Sequence, residues 1–378
     1  MNFEELKIVP QLIEALKKMN IEKPTEIQVL SIGKIAGNHN AAIKSQTGTG
    51  KTLAYLLPLI KKLMSGEKDD QIIVLSPTHE LASQINTVAN DLFAKAGLPM
   101  KSLLLIGSTN ISRQMDQLKK KPSILVGSPG RIAELITQKK IKAHKVKTIV
   151  FDEADRLLND ESLSQIKAMC KSFMRDIQMI FVSATMNDET LKVAGSLTQN
   201  IVSINAQTGQ TPDNIEHIFF HTDDEREKFK ILRKSINALN IEKALLFMNK
   251  NEDALKISER LIHHGINAAD FHSAKDKLER QKTITDFRNG DIKILVVSDL
   301  AARGLDVSGL THVINYNLPD DATQYLHRTG RTGRADKKGI AVTITAGREK
   351  KLLLSFAEKT GFVLKQKDIR EGVVIDAI

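Results

Sequence analysis

The chain reads as two tandem α/β domains, each a mainly parallel sheet covered by helices, joined by a short flexible linker. Three observations predict this. The 378 residues exceed what one ordinary hydrophobic core organises. Short apolar runs alternate with amphipathic helical stretches, the pattern of parallel strands buried on both faces. The alternation lapses once, at Asn205–Asn214, where Gln207-Thr208-Gly209-Gln210-Thr211-Pro212 is polar, breaker-rich and aperiodic, and then restarts. The expected boundaries are 1–205 for the first domain, 206–214 for the linker and 215–378 for the second.

Taken in order, Val9–Met19 is an amphipathic helix with Leu12, Ile13, Leu16 and Met19 on one face. Pro24 marks a break, and Thr25-Glu26-Ile27-Gln28 opens a second helix running to about Ala36. Ala41-Ala42-Ile43 is a short buried strand, and Leu53-Ala54-Tyr55-Leu56-Leu57 opens an apolar helix. Strands follow at Ile72–Leu75, Leu103–Ile106, Ile124–Val126, Ile149–Phe151, Ile180–Val182 and Ile201–Ile204. Helices at Glu80–Ala94, Arg131–Thr137 and Leu163–Met174 lie among them. Past the linker the strands are Ile215–Phe220, Ala244–Met248, Ala268–Phe271, Ile294–Val297, Val313–Tyr316 and Ala341–Ile344, with helices such as Asp253–His264 and Leu278–Phe287. The second half has no Gly-rich loop of its own, and Gln366–Ile378 is too short for a third domain.

With 41% hydrophobic and 26% charged residues, the composition is that of a soluble globular protein. Apolar runs such as Ala54–Ile60 fall far short of the roughly 20 residues of a membrane span. The opening Met1-Asn2-Phe3-Glu4-Glu5 lacks the features of a secretory signal. A single cysteine, Cys170, excludes an internal disulfide framework and reads as a small core residue. Together these predict a reducing, cytoplasmic setting and no membrane partner. The net charge of +10 points only loosely to a polyanion, because solubility alone accounts for it. No Trp and three Tyr argue against a platform of stacked bases, so phosphate contacts should dominate any nucleic-acid binding.

Between the first strand and its helix stands Ser45-Gln46-Thr47-Gly48-Thr49-Gly50-Lys51-Thr52. A Gly-rich turn at a helix's positive end aims successive N–H groups at a polyphosphate. Lys51 would reach the outer phosphates, and the Thr52 hydroxyl would ligate Mg²⁺. Ser45 stands where the strict pattern has Gly, so a plain turn capping a helix stays open on these residues alone. Downstream, Val150-Phe151 leads into Asp152-Glu153-Ala154-Asp155. Acids ending an apolar strand sit at the sheet's carboxyl edge, where open α/β sheets bind ligands. Asp152 would hold Mg²⁺ through water, and Glu153 would orient or deprotonate an attacking water. The bland alternative is an acidic helix start complementing the dipole. In the second half, His327-Arg328-Thr329-Gly330-Arg331-Thr332-Gly333-Arg334 spaces three arginines three apart with glycines between. Guanidinium groups suit charge on a transferring phosphoryl, and the glycines would let them approach it. A basic surface turn is the alternative.

Together, at this order and spacing, the residues resemble the DEAD-box family of ATP-dependent RNA helicases, within helicase superfamily 2, over nearly the whole chain. The resemblance implies two tandem RecA-like domains in a minimal core of bacterial type, with ATP and Mg²⁺ as cofactors and RNA as partner. Phe3, Thr25 and Gln28 match the motif that recognises adenine. Gln28 can pair with adenine N6 and N7, where guanine offers the wrong pattern. By the same resemblance Gln46, Thr47, Gly48, Thr49, Gly50, Lys51 and Thr52 hold the phosphates, and Gly304 and Asp306 face the nucleotide. Arg331 and Arg334 become arginine fingers. Asp155, Ser183, Thr185, His327 and Arg328 couple hydrolysis to strand separation, and Asp155 stands where the DEAH relatives carry His. Pro77, Thr78, His79, Gly107, Ser108, Ser128 and Arg131 match RNA-backbone motifs of the first domain. Asn249, His272, Arg280, Ser298, Asp299 and Arg303 match those of the second.

The chain departs from the pattern at Ile21, Ser45, Ser108, His79, Ser273 and Lys277. Ile21 replaces an aromatic against adenine, and His79 replaces an Arg on the RNA backbone. None of these removes a catalytic group. The implied mechanism is a clamp: ATP on the first half, RNA across both, and closure bringing Arg331 and Arg334 to the γ-phosphate. Ribosomal particles or RNA-decay proteins are the implied surroundings, with the chain acting as a monomer. A non-catalytic ATP-gated clamp, a DNA translocase on the same fold and a metabolic P-loop kinase are the competing readings.

Overall fold

The computed structural model describes residues 1–45, 49–66, 71–107, 111–158, 160–206, 214–272, 277–302, 305, 307, 309–333 and 338–377. It divides into two compact units, Met1–Gln207 and Thr208–Ile378. Most of the expected linker therefore lies outside the described residues.

In the first unit the strands are β1 (Asn40–Lys44), β2 (Gln71–Leu75), β3 (Ser102–Leu105), β4 (Ile124–Gly127), β5 (Val146–Asp152), β6 (Gln178–Ser183) and β7 (Ile201–Asn205). They form one parallel sheet in the order β3-β4-β2-β5-β6-β1-β7. Successive side chains of a strand point to opposite faces, so a continuous apolar run feeds two cores. Ile72 and Val74 pack on one face with Leu16, Ile27, Leu56 and Phe93. Ile73 and Leu75 pack on the other with Ile132, Leu135, Leu157 and Ile166. The helix Lys51–Ser65 buries every residue from Leu53 to Ile60, which explains why its sequence is apolar all round rather than striped. Cys170 is a half-buried free thiol packed against the second of these cores.

The second unit repeats the plan with β8 (Ile215–Thr222), β9 (Ala244–Met248), β10 (Ala268–Phe271), β11 (Ile294–Ser298), β12 (His312–Asn315) and β13 (Gly339–Ala346). Two further strands, β14 (Leu364–Arg370) and β15 (Val373–Asp376), come from the segment that reads in sequence as a bare tail. The order is β10-β11-β9-β12-β13-β8-β14-β15, parallel except for the last pair. The tail was illegible because its strands alternate charged and partly buried residues instead of running apolar. No helix among the described residues is long and apolar enough to cross a membrane.

Two histidines are sealed into this second sheet. His217 is 2% exposed, its ring stacked on Phe362 at 4.3 Å and its Nδ1 3.1 Å from the Tyr325 hydroxyl. His312 is 6% exposed, with Nδ1 2.8 Å from Thr311 Oγ1. Among the described residues neither Nε2 has a hydrogen-bond partner. A proton added there would be an unsatisfied buried charge, and burial pushes both pKa values down to about 4. The folded-state value lies below the unfolded one, so the unfolded chain takes up the protons first as pH falls. Stability is therefore whole above about pH 6.5 and eroded on the way down to about 4, by about 2–3 kcal/mol per histidine. Urea unfolding of the second unit followed from pH 7 to pH 4.5 should show this loss. The His312→Gln variant should lose less, and an unchanged pH slope would rule the ring out as a source.

Candidate active site

The three strands whose ends carry the candidate chemistry lie side by side, in the order β5, β6, β1. Lys44 is in register with Ser183, and Asp152 with Val182. The backbone N–H of Ser45 donates to Ser183 O at 3.0 Å. The loop after β1, the acids after β5 and the Ser-Ala-Thr segment after β6 consequently leave the sheet from a single edge.

Gly50 caps the helix Lys51–Ser65 at φ +86, a left-handed conformation that favours glycine. A Cβ there would also sit 2.4 Å from Gln28 Nε2. That amide donates to Gly50 O at 3.1 Å, while its Oε1 accepts from Thr25 N at 3.0 Å and closes a capping box. Gln28, 1% exposed, thus fastens the second helix to the loop after β1, and these two bonds leave one amide hydrogen and one lone pair unused. On the loop's other flank, buried Ser45 shares a hydrogen bond with Thr49 Oγ1 at 2.6 Å, and Lys51 Nζ donates to Ser45 O at 2.7 Å. The serine where the pattern expects glycine therefore ties the loop to itself. Gln46, Thr47 and Gly48 lie outside the described residues.

Asp152 is 5% exposed. Tyr55 donates its hydroxyl to Oδ2 at 2.9 Å, and Glu153 N donates to Oδ1 at 3.0 Å. Burial raises the carboxyl pKa to about 6, against the opposing pull of the Lys51 charge and the Tyr55 hydrogen bond. Burial and the neighbouring Asp152 push the Tyr55 phenol well up, and Thr52, one helical turn earlier, pulls it the other way. Glu153 sits at φ +55, ψ +54, and its carboxylate pairs with Arg156 at 3.1 Å. Thr185 donates to Asp155 Oδ2, and Thr185 N donates to Ser183 Oγ at 3.1 Å, so the acidic segment and the Ser-Ala-Thr segment are joined.

In the second unit one guanidinium organises the corresponding edge. Arg328, 1% exposed, donates Nε to Asp299 Oδ1 at 2.7 Å and Nη2 to Asp299 Oδ2, a bidentate fork. It also donates to Asn317 O at 2.6 Å and Asn249 Oδ1 at 3.0 Å, and its carbon lies 5.1 Å from the Phe247 ring centroid. The ends of β9, β11 and β12, adjacent in the sheet, meet on this side chain.

Comparison with known proteins decides what these edges belong to. Residues 25–193 match the DEAD/DEAH box helicase family and residues 227–336 the helicase conserved C-terminal domain. The chain is 39% identical to the Bacillus cereus DEAD-box ATP-dependent RNA helicase CshC, over 97% of this chain and 93% of that protein. It is 37% identical to the probable ATP-dependent RNA helicase YfmL of Bacillus subtilis, over 91% of each. This chain belongs to the DEAD-box ATP-dependent RNA helicases. Among solved structures it is similar to S. cerevisiae Dbp5 bound to RNA and ADP BeF3, with a TM-score of 0.85, 27% identity and coverage of 96% and 95% of the two chains. That likeness shows two sheets of RecA-like type. Membership of an ATP-dependent helicase family implies nucleotide binding.

The structure places the remaining candidate residues as follows. Phe3 is 3% exposed and packs in the first core. Arg131 is 6% exposed, with Nε on Gln114 Oε1 at 3.1 Å and Nη1 on Glu134 Oε2 at 2.6 Å. Asn249 and Asp299 are engaged by Arg328, and Asn249 Nδ2 donates to Leu318 O at 3.0 Å. Thr78 is an N-cap accepting from Leu81 N at 3.2 Å, with Pro77 half-buried before it and His79 exposed after it. Gly107 is exposed, and Ser128 starts the helix Pro129–Thr137. His272 Nε2 is 3.2 Å from Asp270, Arg280 lies over the Phe271 ring at 5.0 Å, and Ser298 Oγ accepts from Ala301 N at 3.3 Å. His327 and Arg331 are half-buried. Ser108, Ser273, Arg303, Gly304, Asp306 and Arg334 lie outside the described residues.

One of the glycines among the arginines is also required by the backbone. Gly333 is at φ +66, and a Cβ on it would be 2.5 Å from Ile215. Sequence reasoning also missed Tyr55, Gln114, Asn317 and Gly127, whose Cβ would strike Leu105 O at 2.2 Å. Only Tyr55 left a signal: three residues after Thr52 on one helix, it had to share that residue's face. The Asp299→Asn substitution strips a buried guanidinium of its counter-charge and should destabilise the second unit by about 3–5 kcal/mol. Urea denaturation measures this, and an unmoved midpoint would show that the Arg328 cluster does not hold the edge together.

Proposed function

We propose that this helicase binds ATP on Gln28, Lys51 and Thr52, hydrolyses it when RNA is bound, and locally unwinds short RNA duplexes or remodels RNA–protein complexes. The observation that carries the reading is the convergence at one sheet edge of the loop after β1, Asp152 with Glu153, and Thr185 on Asp155. Lys51 supplies positive charge to the outer phosphates. Glu153 orients or deprotonates the attacking water, and Arg331 and Arg334 are assigned to charge on the transferring phosphoryl.

Mg²⁺ fits the donors present. Tyr55, which donates to Asp152, follows Thr52 by one turn of the same helix, so the two oxygen donors face one region. Among the described residues no group of three or more His, Cys, Asp or Glu is placed to hold a metal. Two oxygen donors completed by water and phosphate are the usual Mg²⁺ arrangement. When bound, the ion neutralises charge between the β- and γ-phosphates. Because Asp152 is raised to about 6, its ionised form, the one that can take up a cation, prevails above that pH.

If ATP tightens RNA binding, RNA tightens ATP binding by the same factor. RNA is held chiefly through phosphate and sugar, and the reading places the chain in the cytoplasm as a monomer. Ribosome assembly or RNA turnover is the setting that family analogy favours.

Lys51→Ala should lose nucleotide binding in a fluorescent-ATP titration. Glu153→Gln should keep ATP and RNA while turnover drops by about 10²–10⁴. Steady-state ATPase that ignores added RNA in the intact chain would sink the coupled scheme. His79→Arg installs a permanent charge and should tighten RNA binding. Its salt dependence should steepen by up to about one phosphate's worth; identical salt slopes would remove His79 from the RNA path.

A further inference from the structure

The amino-terminal edge of the first sheet, opposite the phosphate loop, carries a basic cavity of about 470 Å³ that the ATPase scheme does not use. Five lysines line it: Lys119, Lys121, Lys140, Lys142 and Lys145. Half-buried Met115 and Leu118 contribute an apolar floor. Gln71, the first residue of β2, also lines it and is held by its Nε2 on Pro122 O at 2.9 Å. The lysines come from three separate stretches. Lys119 and Lys121 follow the helix Ile111–Leu118, Lys140 follows Pro129–Thr137, and Lys142 and Lys145 belong to the turn leading into β5. Lysines after helix C-termini complement the dipole, which accounts for Lys119 and Lys140. It does not account for Lys142, which precedes the short helical turn Ala143–Lys145. Asp116 pairs with Lys119 at 2.9 Å, but none of the described lining residues is acidic.

We infer that this cavity is an auxiliary site for the RNA phosphodiester backbone, engaging a segment of RNA other than the one at the catalytic edge. The inference rests on the RNA-binding reading above. Lysine ammoniums are point charges that meet phosphate without a fixed fork, and no aromatic or arginine is among the described lining residues. The site can therefore hold backbone and has no means of stacking or reading bases. Apolar lysine stems and the Met115–Leu118 floor suit ribose edges. Strands of this length put the two edges roughly 15–20 Å apart. A ligand in the cavity cannot also touch Lys51, so the two sites are separable by mutation.

The experiment uses the full chain with a non-hydrolysable ATP analogue and two RNAs: a short single strand, and the same strand extended by a duplex arm. In fluorescence anisotropy, the triple variant Lys119→Gln/Lys140→Gln/Lys142→Gln should bind the short strand like wild type. It should bind the extended RNA at least ten-fold more weakly at low salt, with a log–log salt slope shallower by about two. The triple Lys→Arg variant should restore both, and inorganic polyphosphate should compete only for the extended RNA's extra affinity. Equal weakening of both RNAs, or of neither, overturns the site. So does a cavity that takes an acidic peptide while the extended RNA gains nothing from it. Wild-type protein that binds neither RNA would instead remove the RNA reading itself.

Discussion

Everything at the candidate edge depends on the strands of each sheet core being parallel. A parallel strand cannot return by a hairpin, so each crossover restarts its strand at the same side, and every strand ends at the other. Residues far apart in sequence are thereby delivered to one line: Lys44, Asp152 and Ser183 end three neighbouring strands. Lengths within the loops can vary freely, but a slip of one residue in β5 or β6 would turn its apolar set from one core to the other. The cores therefore fix the register, and the register fixes the site.

Buried polar groups then set the positions within that line. The ion pair of Arg328 with Asp299 is poor evidence of stability in itself, since desolvating both charges costs about what their attraction returns. Its value is geometric. A fork satisfied by Asp299, Asn249 and the Asn317 carbonyl has one low-energy arrangement, so three strand ends are held in one arrangement. Tyr55 does for Asp152 what Asp299 does for Arg328: it gives a desolvated group a directed partner. Gln28 does it for the phosphate loop, by bridging Thr25 and Gly50.

The fold was legible from the apolar runs because two-sided burial leaves no polar alternation to confuse them. Where burial is partial, as in β14 and β15, the signal vanished. Candidate site residues could be named wherever local spacing suggests a chemistry, as with Gly50-Lys51-Thr52 or Asp152-Glu153. The site was not legible where the decisive fact is a contact across the fold. Nothing near Phe3 in the chain announces that its ring is buried in the core. Nothing near Arg328 reveals that its partners are Asp299 and Asn249. Ser45 shows the same limit in reverse, because a departure from the phosphate-loop pattern proves to be a hydrogen bond to Thr49.

Glu153 carries its backbone in the left-handed region, where a side chain with a Cβ is held at a cost of about 1–3 kcal/mol. Glycine or asparagine would sit there with less strain. A laboratory selection for heat tolerance alone would be drawn toward this very residue, and on the role proposed for Glu153 each step gained there would be taken from hydrolysis.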